Sequence, residues 1–214
     1  MMSIAFPVSG IDADAWPLIS LAAALGVLDA AANYCSNSAL KWPNDIVCVN
    51  NGDIKKLCGI LCELVLTPAE DYCAVIGIGL NANCAEFPPA LMQPATSLRV
   101  ELGRSVDIFE LRRRAAFSVI ARLKALERDP AALIDEYSRH CVTLGKAVRA
   151  TDLEGRTVAE GIAGRVLEDG RLVIDTASGE AVIDAADVSL RPQPDEDAVR
   201  IGSLEQQNIE TAEQ

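Results

Sequence analysis

The chain has 214 residues, half of them apolar and 23% charged, the composition of an ordinary globular protein with one medium domain or one domain plus a small appendage. Its 31 acidic against 19 basic side chains give a formal charge of -12. Such a surface repels a phosphate backbone, so the composition argues against nucleic-acid binding.

Residues 3–8 read as a short strand, and Asp12, Asp14 and Pro17 open a helix whose Leu18, Leu21, Ala22, Leu25 and Leu28 are spaced for an apolar stripe. From Leu40 to Asn83 the pattern turns to strands. Ile46–Val49 ends at the turn Asn50-Asn51-Gly52-Asp53; Lys55–Leu66 follows, and the loop Pro68–Asp71 leads to Cys73–Asn81. Three strands on short turns predict an antiparallel meander. A helical period returns over 107–128 with Asp107 as N-cap, and a second helix covers Ala131–Tyr137. After Gly145, short strands at Ala147–Ala150, Val158–Arg165, Arg171–Asp175 and Glu180–Ile183 predict a small all-β barrel. Beyond Pro192 the chain is polar and acidic, and it reads as a disordered tail.

Seven cysteines lie scattered in apolar runs with no C-x-x-C pair and a single histidine, His140, so they read as buried free thiols rather than a disulfide framework or a zinc site. No basic segment precedes an apolar stretch at the N-terminus. The run from Leu18 to Leu28 is short for a bilayer and interrupted by Ser20 and Gly26. The expected location is the cytoplasm.

Three places carry chemistry. Alternation along Cys73–Asn81 puts Gly77, Gly79 and Asn81 on one face. Bare backbone there serves either a closely approaching ligand or a bulky neighbour on the sheet, and Asn81 offers a donor and an acceptor to a heterocycle edge. Lys56 enters a strongly apolar strand and must keep its ammonium hydrated or paired; an anionic ligand is one outlet, an exposed hairpin end the other. In Lys41-Trp42-Pro43-Asn44-Asp45 the proline breaks the ladder, leaving Asn44 and Asp45 for an Asx-turn or a ligand.

K-W-P-N-D, then K-x-x-G-I-L-x-E from Lys56 to Glu63, then G-I-G-L-N resembles the ordered motifs of biotin protein ligases. Arg139–Gly145 resembles the family's junction into a C-terminal SH3-like barrel, and Val188–Pro192 the barrel's closing strand. The resemblance implies an α+β fold: a mixed or antiparallel sheet flanked by helices, like the class II aminoacyl-tRNA-synthetase-like ligase core, then the barrel. The implied division is a partial catalytic domain over 1–143, the barrel over 144–192 and the tail over 193–214. The implied activity joins biotin and ATP into biotinyl-5′-AMP, with Mg²⁺ accompanying ATP, and passes biotin to a lysine of a biotin carboxyl carrier protein. Lys56 matches the family's catalytic lysine and would bind the biotin carboxylate and phosphate. Gly59 and Leu61 would line the biotin pocket, Asn44 and Asp45 would organise the nucleotide side, and Asn81 would face adenine. Trp42 reads as core packing.

The resemblance also implies a G-R-G-R-x-G-R loop and an E-T-x-S-T-N-like strand ahead of K-W-P-N-D. Neither occurs in the 214 residues, and residues 1–40 contain no Lys or Arg. The expectation is an N-terminally truncated ligase, acting through a complementing fragment or a homodimer and making little adenylate alone. A non-catalytic module binding a nucleotide or carrier protein is the alternative, and a lipoate ligase relative a third.

Overall fold

The structure, a computed structural model, describes residues 1–88, 91, 93–152, 154–185 and the backbone of 189–192; the acidic tail predicted to be disordered lies outside them. The fold is α+β. Five strands, β1 (Met2–Pro7), β2 (Ser38–Lys41), β3 (Asp45–Asn50), β4 (Asp53–Leu66) and β5 (Tyr72–Leu80), form a sheet in the order β1-β5-β4-β3-β2. Every pairing of named strands is antiparallel, so of the two sheet types expected the antiparallel one is present. Among the described residues, parallel geometry occurs only as single bridges, Leu40 with Cys141 and Lys56 with Ala95. The predicted meander is β3-β4-β5; β2 and the docking of β1 onto β5 extend it on both sides.

Helix α1 (Ile19–Ala32), entered through a 3₁₀ turn at Ala13–Leu18, crosses one face of this sheet. Its middle turns are buried all round, Leu21 to Leu28 without a break, rather than along one stripe. The cause is a second partner, α3 (Ile108–Leu126), lying against its other side. Gly26 does not interrupt the helix; it is the crossing point, where a Cβ would stand 2.5 Å from Val119 Cα. The stretch Ala13–Ala32 is long and apolar enough to cross a membrane by composition, but here most of it is buried inside the fold.

Asp107 caps α3 as predicted, accepting from the Phe109 and Glu110 amides at 2.8 and 3.2 Å. Helix α4 (Pro130–His140) is capped by Asp129. A short helix that the sequence pattern did not announce, α2 (Leu98–Leu102), starts at Ser97 and ends at Gly103 with φ +69°. Arg122 fastens the helical layer, donating to Asp29 of α1 at 2.7 Å and to Glu136 of α4 at 2.6 Å.

The remaining strands, β6 (Ala147–Thr151), β7 (Thr157–Val166), β8 (Leu172–Thr176), β9 (Gly179–Ile183) and β10 (Ser189–Pro192), form a second antiparallel sheet in the order β10-β6-β7-β8-β9. Trp42 is the rivet between the two sheets. It is 1% exposed, its backbone N–H donates to Thr143 Oγ1, and its indole N–H donates to the Gly170 carbonyl, both at 3.0 Å. One continuous apolar core runs through both parts.

Candidate ligand site on the open face of the first sheet

The side of the first sheet away from α1 is built around an irregularity in β4. Asp45 pairs with Gly59 and Ile46 with Cys58, but Val47 pairs with Lys56, so Leu57 is an extra residue. Leu57 and Cys58 are both fully buried, consecutive side chains on the core side. Strict alternation from Gly59 would have sent Lys56 into the core; the bulge turns it onto the glycine face. There its Nζ meets Asp45 Oδ1 at 2.6 Å, with the lysine side chain 36% exposed and the aspartate 14%. The ammonium is therefore paired and still reachable, and Lys56 does not sit at an exposed hairpin end.

Gly59 makes room for this contact: a Cβ there would stand 3.1 Å from both Cε and Nζ of Lys56. Gly59 pairs directly with Gly79, so the floor beside the lysine is bare backbone on both strands, and Leu61 opposite Gly77 is the one side chain that follows. A cavity of about 770 Å³ opens over it. Lys41, Asn44, Asp45 and Lys56 wall one side, Gly59, Leu61, Gly77 and Gly79 form the floor, and Ser3, Glu63 and Gln93 complete the rim. Leu61 stands 64% exposed over the open face.

Asn44 lines the cavity and also acts as a pin. Its Nδ2 donates to the Ile60 carbonyl at 2.6 Å, while the Ile60 amide donates to the Asn44 carbonyl at 3.0 Å. Tyr137 donates its hydroxyl to the Pro43 carbonyl, which holds the K-W-P-N-D corner from behind. Asn81 lies apart: it does not line the cavity, and its Nδ2 donates to the Thr96 carbonyl at 3.1 Å. The segment that receives it runs alongside the bulge, with the Lys56 amide donating to the Pro94 carbonyl and the Thr96 amide to the Lys56 carbonyl. Ser3, Gln93 and the 94–96 segment were not singled out from sequence, because only the docking of β1 on β5 and the path of the 81–97 connection bring them here.

The chemistry available is electrostatic. Burial pushes the Cys58 thiol up to about 12 and the Cys62 thiol up to about 11, so both stay protonated at neutral pH and neither is a nucleophile. A fixed cation above bare backbone suits a flat ligand that carries, or develops, negative charge.

Set against solved structures, this architecture is that of a biotin protein ligase. It superposes on the biotin protein ligase of Aquifex aeolicus with a TM-score of 0.76 at 24% identity, covering 89% of this chain and 81% of that one. The Aquifex enzyme in complex with biotin and ATP gives 0.75, covering 89% and 77%. Residues 143–191 match the family described as biotin protein ligase C terminal domain. Among sequence relatives, the biotin–[acetyl-CoA-carboxylase] ligase of Mycobacterium tuberculosis is 32% identical over 193 residues, 88% of this chain and 68% of its own length. That of Paracoccus denitrificans is 30% identical, over 79% and 71%. The bifunctional ligase/repressor BirA of Bacillus subtilis is 28% identical over 81% of this chain, which spans 53% of it. The chain belongs to the biotin protein ligase family.

Proposed function

We propose that the cavity over Gly59 and Gly79 is the acid-activating site of a biotin ligase. In the reaction the biotin carboxylate oxygen attacks the α-phosphorus of ATP, pyrophosphate leaves, and biotinyl-5′-AMP forms. A lysine amine of a biotin carboxyl carrier protein then attacks the acyl carbon and AMP leaves. The observation that carries this reading is Lys56, paired at 2.6 Å with Asp45 and standing beside the bare backbone of Gly59, Gly77 and Gly79. Its ammonium offsets the carboxylate charge and then the charge that builds at phosphorus. Gly59, Gly77 and Gly79 let the ligand lie against the strands, with Leu61 as its apolar neighbour. Asp45 holds the lysine, and Asn44 fixes the corner that bears it. Asn81, with Nδ2 engaged by Thr96, keeps Oδ1 as the acceptor for the adenine amine. Mg²⁺ would accompany ATP and supply charge neutralisation at its phosphates; of the carboxylates facing the cavity, Glu63 would be available to such an ion while Asp45 holds the lysine.

We take residues 1–143 as the catalytic part and 144–192 as the barrel, a division supported by the two separate sheets. The free thiols and the core placement of the apolar helix support a cytoplasmic location. None of the 214 residues supplies the arginine-rich loop that the resemblance implies, so this polypeptide by itself binds biotin and ATP weakly and forms little adenylate. A second reading is a binding module or one part of a two-chain ligase.

Titration calorimetry with biotin, ATP and octanoate, alongside biotin-dependent pyrophosphate release, separates these. Weak biotin and ATP binding that Lys56→Ala abolishes supports the proposal. Binding of octanoate in preference to biotin moves the site to the lipoate branch, and binding of neither acid overturns it. Robust biotinylation of a carrier domain would overturn the statement about the polypeptide alone.

A further inference from the structure

The cavity absorbs the motifs, but a second cluster of reactive groups lies at the far end of the same sheet, between the end of α1, β3 and α2. Cys35 and Cys48, thirteen residues apart, bring their sulfurs to 2.8 Å, and both side chains are buried. With the Glu101 carboxylate, their ligand atoms all lie within 4.8 Å of one another. Three features beyond proximity orient the cluster. Asn37 commits its Nδ2 to the Val49 carbonyl and to Asn50 Oδ1, which turns its Oδ1 to within 2.8 Å of Cys35 Sγ. Glu101 is held in place by donors on both oxygens, Thr96 Oγ1 at 2.5 Å and Asn50 Nδ2 at 2.9 Å. Ser38, the cross-strand partner of Cys48 on the same face of β2 and β3, has a fully buried hydroxyl oxygen without a hydrogen-bond partner.

We propose that Cys35, Cys48, Glu101 and the Asn37 carboxamide oxygen form a binding site for a single zinc ion. The donor set, two thiolates with two oxygens, is one that zinc accepts and that hard cations such as Mg²⁺ and Ca²⁺ do not seek. Charge argues the same way: two thiolates beside a carboxylate would gather three negative charges in a largely buried place, which a divalent cation offsets. Zinc–sulfur bonds of about 2.3 Å in a tetrahedron need sulfurs roughly 3.7 Å apart. Filling the site therefore requires them to part by about 1 Å, a small χ1 rotation. A disulfide between the cysteines would leave the fixed Glu101 and the turned Asn37 without a purpose; zinc uses all four groups. The ion would brace α2 against β3, and Glu101 touches Thr96, whose amide bonds the Lys56 carbonyl, so the brace ends beside the ligand cavity.

The test uses the full chain, reduced and stripped of metal, titrated with Zn²⁺ against a chromophoric chelator and with Co²⁺ for its thiolate-to-cobalt absorption. The site predicts one equivalent of Zn²⁺ and the cobalt band. Cys35→Ser and Cys48→Ser should each weaken Zn²⁺ at least 100-fold, Glu101→Gln about tenfold, and Cys84→Ser, an exposed cysteine, not at all (on the order of what loss of a ligand or its support costs). Glu101→Gln keeps the side-chain shape and decides the matter should a cysteine variant fail to fold. Less than one equivalent, or an affinity indifferent to these substitutions, overturns the proposal. So does a Cys35–Cys48 disulfide in protein that binds no zinc once reduced.

Discussion

Gly79→Ala separates a ligand surface from a merely accommodating strand. Gly79 is not among the glycines with positive φ, so alanine suits its backbone. Its new Cβ would meet only the Gly59 carbonyl, at an ordinary 3.5 Å. Nothing in the fold resists the methyl group. Narrowing the unfolded ensemble should stabilise by about 0.4–1 kcal/mol, a rise in Tm of roughly 1–4 °C for a chain of this size. The same methyl stands on the cavity floor, where a ligand lying on bare backbone would be lifted. Binding of a biotinyl-adenylate analogue should weaken at least tenfold, about 1.4 kcal/mol. The assay pairs differential scanning calorimetry with ligand titration on the same preparation. A higher Tm with unchanged affinity would refute the ligand role of the glycines; a lower Tm would refute the reading that they accommodate nothing.

Gly59→Ala should weaken the analogue similarly by displacing Lys56, whose Cε and Nζ lie 3.1 Å from the new Cβ, while leaving Tm nearly unchanged because a lysine tip can yield. Gly26→Ala should lower stability by about 1–3 kcal/mol in urea unfolding despite alanine's better helix propensity, since backbone atoms of Val119 and Ser118 cannot rotate away. Trp42→Phe leaves the Gly170 carbonyl without its donor and a gap at the junction of the two sheets, and should cost about 1–3 kcal/mol by the same assay. Arg122 holds the Glu136 carboxyl below its ordinary 4.5 by hydrogen bonding. A depressed folded-state pKa contributes stability above 4.5 that is lost as pH falls through the folded value, so Arg122→Met should flatten the acid limb of the stability–pH profile.

Much of this was legible in the residues. The turn Asn50–Asp53, the cap Asp107 and the strand boundaries follow local chemistry that tertiary contacts do not override. The placement of Lys56 was not, because it depends on one extra residue in β4, and nothing in Lys55-Lys56-Leu57-Cys58 distinguishes a bulge from a plain strand. The burial of α1 on every side was hidden for a related reason: a stripe of leucines was visible, but the alanines between them look neutral until α3 packs on them. Asn81 shared a face with Gly79 on paper, whereas in the fold its amide turns to Thr96. The meeting of Cys35 with Cys48 depends on how the chain returns after α1, which spacing alone does not reveal.

Central to the account is Lys56 as the group that receives the ligand's anionic centre above the glycine floor. The most direct measurement is calorimetric titration of the chain, beside Lys56→Ala, with a non-hydrolysable biotinyl-5′-adenylate analogue. Measurable binding to the original chain, weakened by tenfold or more in a variant that still unfolds cooperatively, is the predicted result. Equal affinity in the two proteins, or no binding to the original, would contradict it.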